Sequence, residues 1–128
     1  MRIVAVDYGS ARTGVAVSDE TGTVARPVGV VRHVRRPAGM TELVTTIEDL
    51  RPERIVVGLP LTLRGEEGAQ AVETREFVRE LEARCTVPVD TYDERFTTTL
   101  AAVPGGRPDE DAVAAAHLLQ GYLTRLAG

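Results

Sequence analysis

The chain has 128 residues, 43% of them hydrophobic and 27% charged, with a formal net charge of −4 at pH 7. This is ordinary globular composition for one domain, residues 1–128, with a core of its own; it excludes a disordered chain, and no apolar run approaches the length of a membrane span. The single cysteine, Cys85, rules out an internal disulfide and argues against a cysteine zinc site, while the acidic balance excludes a protein that coats nucleic acid by global charge and leaves room for an acidic site that holds cations.

Residues 2–7 (RIVAVD) form a β-branched run that ends in a carboxylate. Asp7 lies where a signal peptide would be apolar, so the mature chain is expected to start at Met1 and to be cytoplasmic. Gly9 and Gly14 punctuate the loop that follows, and a second strand begins over 14–18 (GVAVS). Asp19-Glu20-Thr21-Gly22 reads as a hairpin turn. A third strand falls within 23–34, where Pro27 and Gly29 predict a bend or a sheet edge.

The pattern then changes. Met40, Leu43, Val44, Ile47 and Leu50 recur at helical spacing, with Pro52 just beyond. Residues 54–59 (RIVVGL) are apolar throughout, as a central strand covered on both faces would be. Gly65 to Arg84 is expected to be the second helix, acidic at its start (Glu66, Glu67) and apolar along Ala71, Val78, Leu81 and Cys85. Residues 87–92 (VPVDTY) suit an edge strand, 96–103 one or two helical turns, and Gly105-Gly106 a break. Pro108 to Leu126 is the last helix, with Asp111 sharing a face with Ala115, Leu118, Tyr122 and Leu126. The order is βββαβαβα. It predicts an α/β fold: a mixed five-stranded sheet with right-handed parallel crossovers and helices on both faces.

Ligands of open α/β sheets bind beyond the carboxyl ends of the parallel strands. Asp7 ends the first strand there, Asp93 and Glu94 end the last, and Asp111 heads the buried stripe of the final helix. Carboxylates from three separated segments that meet in one place are suited to Mg²⁺ or Mn²⁺. Each has a plainer reading, as a solvated turn residue or as a partner of the helix dipole. Along 87–92, alternation puts Val89 and Thr91 on one face and Asp90 and Tyr92 on the other, and extended it sets Glu94 with Tyr92 and Asp93 with Val89. Parity is weakest at a strand end, so the residues alone leave Asp93 and Glu94 open. The loop Asp7-Tyr8-Gly9-Ser10-Ala11-Arg12-Thr13-Gly14 carries donors for phosphate oxygens in Ser10, Arg12 and Thr13, or is an ordinary hairpin connection. Gly58 keeps room open beside Pro60. Arg95 could clamp a phosphate or pair with Glu94 on a solvated strand end, and Arg32-His33-Val34-Arg35-Arg36 could touch a nucleic-acid backbone or form a solvated edge.

Asp7-Tyr8-Gly9 with Thr13-Gly14-Val15-Ala16, then Ile55-Val56-Val57-Gly58-Leu59-Pro60-Leu61, then Asp93-Glu94-Arg95-Phe96-Thr97-Thr98, then Asp111 with Ala112, Ala114, Ala115 and Leu118 resemble the YqgF/RuvX family. These are pre-16S rRNA nucleases, also described as Holliday-junction-resolvase-like. The match runs in order over nearly the whole chain. The resemblance implies a ribonuclease H-like fold and a metal-dependent nuclease, a hydrolase, with catalytic and metal-ligating acids at Asp7, Glu94 and Asp111. The leading reading of the residues adds Mg²⁺ or Mn²⁺, two ions, as cofactor, with Arg12, Thr13 and Arg95 on the substrate phosphate. The resemblance also implies a cytoplasmic role in 16S rRNA 5′-end maturation. The partner is nucleic acid, RNA first and branched or single-stranded DNA as alternatives, with no membrane; a homodimer stays open. Family members usually carry a longer, basic segment before the last helix, where this chain has only Ala101 to Pro108 with Arg107 as its sole basic residue.

Three rivals follow from the same residues: a resolvase-like endonuclease on branched DNA, a non-catalytic nucleic-acid-binding or ribosome-associated protein, and an ATP-binding module of the actin kind. The last needs two such lobes, which 128 residues do not supply.

Overall fold

The computed structural model describes residues 1–94 and 110–128. Strands β1 (Ile3–Asp7), β2 (Arg12–Ser18) and β3 (Ala25–Arg32) are followed by helix α1 (Pro37–Leu50), strand β4 (Arg54–Leu59), helix α2 (Ala69–Arg84), strand β5 (Val89–Asp93) and helix α3 (Glu110–Ala127). The order is the expected one. The helical turns expected at 96–103, the Gly105-Gly106 break and the helix start at Pro108 lie outside the described residues.

The sheet order is β3-β2-β1-β4-β5, with β1 at the centre. β1 runs antiparallel to β2 and parallel to β4, and β4 runs parallel to β5. β3 and β5 are the edges, as their prolines predict. Val15 pairs with Gly29 and Ala16 with Pro27, so Val28 is an extra residue in β3 and bends that edge. The turn at Asp19 is held by its own carboxylate, which accepts from the Thr23 and Val24 amides at 2.8 and 3.1 Å and from the Thr21 hydroxyl. Those hydrogen bonds hold the acid down at about 2.

Alternation along the strands divides the core in two. Val4, Val6, Val15, Val17, Ile55 and Val57 face α1 and α2, whose Leu43, Ile47, Phe77 and Leu81 cover them. Ile3, Ala5, Ala16, Val56 and Tyr92 face α3 through Ala115, Leu118, Leu119 and Tyr122. Two expectations are corrected here. α2 begins at Ala69, because Gly65 takes a positive φ of 81° and Thr62 closes a tight turn, accepting the Glu66 amide on its hydroxyl at 3.1 Å. Glu66 and Glu67 therefore precede the helix, and Glu67 forms an ion pair with Arg75. On α3 the stripe runs through Ala112, Ala115, Leu118, Leu119, Tyr122 and Leu123, and Leu126, in the last turn, is exposed.

Phe77 is fully buried and stacks on Tyr8 with ring centroids 4.5 Å apart. It thereby ties α2 to the residue after Asp7. Phe77→Ala should cost about 3–5 kcal/mol of unfolding free energy. Urea denaturation followed by circular dichroism measures it, and a loss under about 1 kcal/mol would show that the stack does not hold this end of the sheet.

Candidate active site

The alternation that builds the two cores also assigns the site its face. Ile3 and Ala5 point toward α3, and Asp7 continues that series at the carboxyl end of the central strand. Its register partner on β2 is Gly14, and Gly58 lies one step beyond Val57, the partner of Val6 on β4. Both glycines are on the face of Asp7; a side chain at Gly14 would strike backbone, and one at Gly58 would displace the Glu94 side chain. A Cβ on Gly14 would run into the backbone carbonyl of Asp111 and stand 2.9 Å from the Ala112 nitrogen. A Cβ on Gly58 would stand 2.5 Å from Glu94 Oε1 and 2.9 Å from its Cγ. One glycine seats the first turn of α3 and the other seats the Glu94 side chain, each beside Asp7.

The result is a convergence of acids. Asp7 hydrogen-bonds to Glu94 and lies within electrostatic reach of Asp111. Burial, the Glu94 charge, the hydrogen bond to Glu94 and the Asp111 charge together push the Asp7 carboxyl up to about 7. Burial raises Glu94 too, the hydrogen bond with Asp7 offsets part of that, and the Asp93 charge adds to it. Asp111 is in the first turn of α3, as expected. Its Oδ2 is buried without a hydrogen-bond partner among the described residues, and the Arg12 Nε stands 3.1 Å away as an ion pair.

Glu94, rather than Asp93, reaches Asp7, in line with the strand parity: Tyr92 packs under α3, whereas Val89 packs on the other face. Thr13 departs from expectation. It points to the opposite face and is fully buried; its hydroxyl donates to the Gly9 carbonyl at 3.1 Å and accepts the Gly9 amide at 3.4 Å. It closes the loop. Arg12, one residue earlier, shares the face of Gly14 and is half exposed. Arg95 and Arg107 lie outside the described residues. In the basic cluster, Arg35 is spent on Glu80 at 3.0 Å and Glu76 at 3.9 Å, while Arg32, His33 and Arg36 are exposed. The packing role of Gly14 was not foreseen; a glycine inside a strand signals close backbone approach, so the cue was present.

A family model described as "RuvX: Holliday junction resolvase" matches residues 1–125. The chain belongs to the RuvX family. A relative from Anaeromyxobacter sp. (strain Fw109-5), named "Putative pre-16S rRNA nuclease", is 39% identical over 132 residues, covering 96% of each chain. One of the same name from Roseiflexus sp. (strain RS-1) is 37% identical and covers 95% of this chain and 93% of its own. Among solved structures, Thermus thermophilus RuvC in complex with a Holliday junction substrate superposes with a TM-score of 0.63 at 19% identity, over 100% of this chain and 96% of its own. The fowlpox virus resolvase bound to Holliday junction DNA also gives 0.63, at 11% identity and full coverage of both chains. The fold is the ribonuclease H-like α/β fold that the resemblance implied.

The described residues hold no group of three or more His, Cys, Asp or Glu side chains drawn together closely enough to grip an ion as they stand. The donor set nonetheless fits a hard divalent cation. It is made of carboxylates alone, one acid is pushed toward its neutral form by burial and then by its acidic neighbours, and an oxygen of another is buried without a hydrogen bond. Without a cation the like charges repel, and Asp111 is drawn to Arg12 instead.

The raised Asp7 group fixes a pH signature of the metal-free protein. Its folded value, about 7, exceeds the unfolded 3.8, so the folded chain binds the extra proton between them. Its stabilising share is complete below about 4 and is lost as pH rises through 7, at up to about 1.4 kcal/mol per pH unit. Asp7→Asn should therefore match the wild type in Tm near pH 4 and exceed it increasingly toward pH 7.5, in chelator. Thermal melts across that range check this; a constant difference with pH would contradict it.

Proposed function

We propose that the chain is a single-domain, divalent-metal-dependent nuclease that hydrolyses phosphodiester bonds, with Asp7, Glu94 and Asp111 as its acids and rRNA precursor as its substrate. The carrying observation is the Asp7–Glu94 contact at the carboxyl end of the central strands, with Asp111 brought alongside by α3. The names of the relatives, at 35–39% identity over nearly the full chain, support the rRNA substrate. Branched DNA is the second reading, and the family description supports it.

Asp7 lies between the other two acids in the fold, so it would be the ligand common to both sides of the site. Glu94, just past the end of β5, would complete one side, and Asp111 the other from α3. Two Mg²⁺ or Mn²⁺ ions held there would supply Lewis-acid stabilisation of the charge that builds on the phosphate and would lower the pKa of the attacking water. The chain's own part is to hold its acids rigidly: Gly14 and Gly58 fix the distances, and the Thr13–Gly9 hydrogen bonds hold the loop beside them. Arg12 stands on the same face within reach of a phosphate, and Arg95 follows Glu94 directly in sequence. The basic cluster at the end of β3 offers Arg32 and Arg36 to the flanking backbone. Among the described residues no helix is long and apolar enough to cross a membrane, in keeping with a nucleic-acid enzyme at work in the cytoplasm.

With Mn²⁺, purified protein should cleave a pre-16S 5′-leader RNA in preference to a four-way junction of matched length. Asp7→Asn should reduce the rate by about 10³-fold or more, and Glu94→Gln should be more damaging than Asp93→Asn. Rates on the two substrates measure this; Asp7→Asn retaining most of the wild-type rate would overturn the reading.

A further inference from the structure

We infer that Arg12 is an exchangeable counter-cation: it neutralises Asp111 in the metal-free protein and is released from it when a divalent ion binds, so that the freed guanidinium meets the substrate phosphate. The inference rests on the reading of Asp7, Glu94 and Asp111 as cation ligands, and it assigns Arg12 a second partner that this reading does not require.

The geometry is specific. Arg12 opens β2, and its backbone is fixed. The Thr13 hydroxyl bonds the facing Gly9 at 3.1 Å, and the Ala11 carbonyl accepts the His33 amide at 3.1 Å. Directly opposite Arg12 on β3 is Arg32, a like charge that turns the guanidinium away from that side. Alternation sends it to the α3 face, where its Nε stands 3.1 Å from Asp111 Oδ2. The pairing is loose in two respects. The contact lacks hydrogen-bond geometry, so Oδ2 stays without a hydrogen bond, and the Arg12 side chain is 45% exposed, free to swing on its long stem. A tight buried pair would block the site. A poorly aligned one, half exposed on its Arg12 side, holds Asp111 loosely and gives it up readily.

The consequence is competition followed by cooperation. A divalent ion and Arg12 cannot both be the nearest cation to Asp111, so Arg12 opposes metal binding in the protein alone. When a phosphodiester is present the released guanidinium has an anion to meet, and that contact favours the metal-loaded state. By linkage, metal and nucleic acid then each strengthen the binding of the other.

The test is Mn²⁺ affinity, read by electron paramagnetic resonance of the free ion, with and without a single-stranded oligonucleotide of uncleavable phosphorothioate linkages. Without oligonucleotide, Arg12→Gln should bind Mn²⁺ about threefold more tightly or better, and Asp111→Asn should erase the difference between Arg and Gln at position 12. With oligonucleotide, the wild type should gain more Mn²⁺ affinity than Arg12→Gln does. Unchanged or weaker Mn²⁺ binding by Arg12→Gln, with the wild type binding and Asp7→Asn not, would overturn the exchange and leave the cation site standing. No Mn²⁺ binding by the wild type would overturn both.

Discussion

A carboxylic acid on the middle strand of a five-stranded sheet, under a helix, is the constraint on which the rest of this structure depends. Asp7 continues the inward series Ile3 and Ala5 and would be an apolar residue if packing alone decided. Its ionised form is opposed by burial and by the charges of Glu94 and Asp111, which is why its carboxyl is pushed up to about 7. A sheet gains nothing in stability from such a group. On the proposed reading, the same crowding that penalises three anions would be relieved by a small, highly charged cation.

The surrounding chain is arranged to keep that crowding. Gly14 and Gly58 flank Asp7 on either neighbouring strand and surrender their side-chain volume to the first turn of α3 and to Glu94. Two glycines inside buried strands weaken the sheet locally, and the Tyr8–Phe77 stack braces the same end from the opposite face. Arg12 supplies the one positive charge drawn in beside Asp111 among the described residues. With a net charge of −4, the chain repels a polyanion until this end is neutralised. On the proposed reading, cation binding and nucleic-acid binding would be parts of one electrostatic event.

Most of the fold was legible because period and punctuation agreed. The apolar run at 54–59 read as a two-sided central strand and is one; Met40, Leu43, Val44 and Ile47 placed α1. The edges were written in Pro27 and Pro88. The start of α2 was misread because Glu66 and Glu67 mimic an acidic first turn, whereas Gly65 and the Thr62 hydroxyl spend those residues on a turn of their own. Asp7 and Asp111 could be singled out because both sit at element ends on the carboxyl side of the sheet, whereas Glu94 was preferred to Asp93 only through the family resemblance, since parity is weakest at a strand end. The residues alone did not reveal the backbone partner of Thr13: a threonine in a loop can face a ligand or its own backbone, and the closeness of Gly9 is a property of the fold. The Arg12–Asp111 pair joins residues 99 positions apart on elements that the sequence does not set side by side.

The central claim is that Asp7 sits where it does in order to share a divalent cation with Glu94 and Asp111. A crystal structure of the protein grown with Mn²⁺, with the ion located by its anomalous scattering, tests this most directly. The account predicts a peak bounded by the carboxylates of Asp7, Glu94 and Asp111, with the Asp111 side chain turned off Arg12. A Mn²⁺ ion bound elsewhere while the Asp7–Glu94 hydrogen bond and the Arg12–Asp111 pair both persist would contradict it.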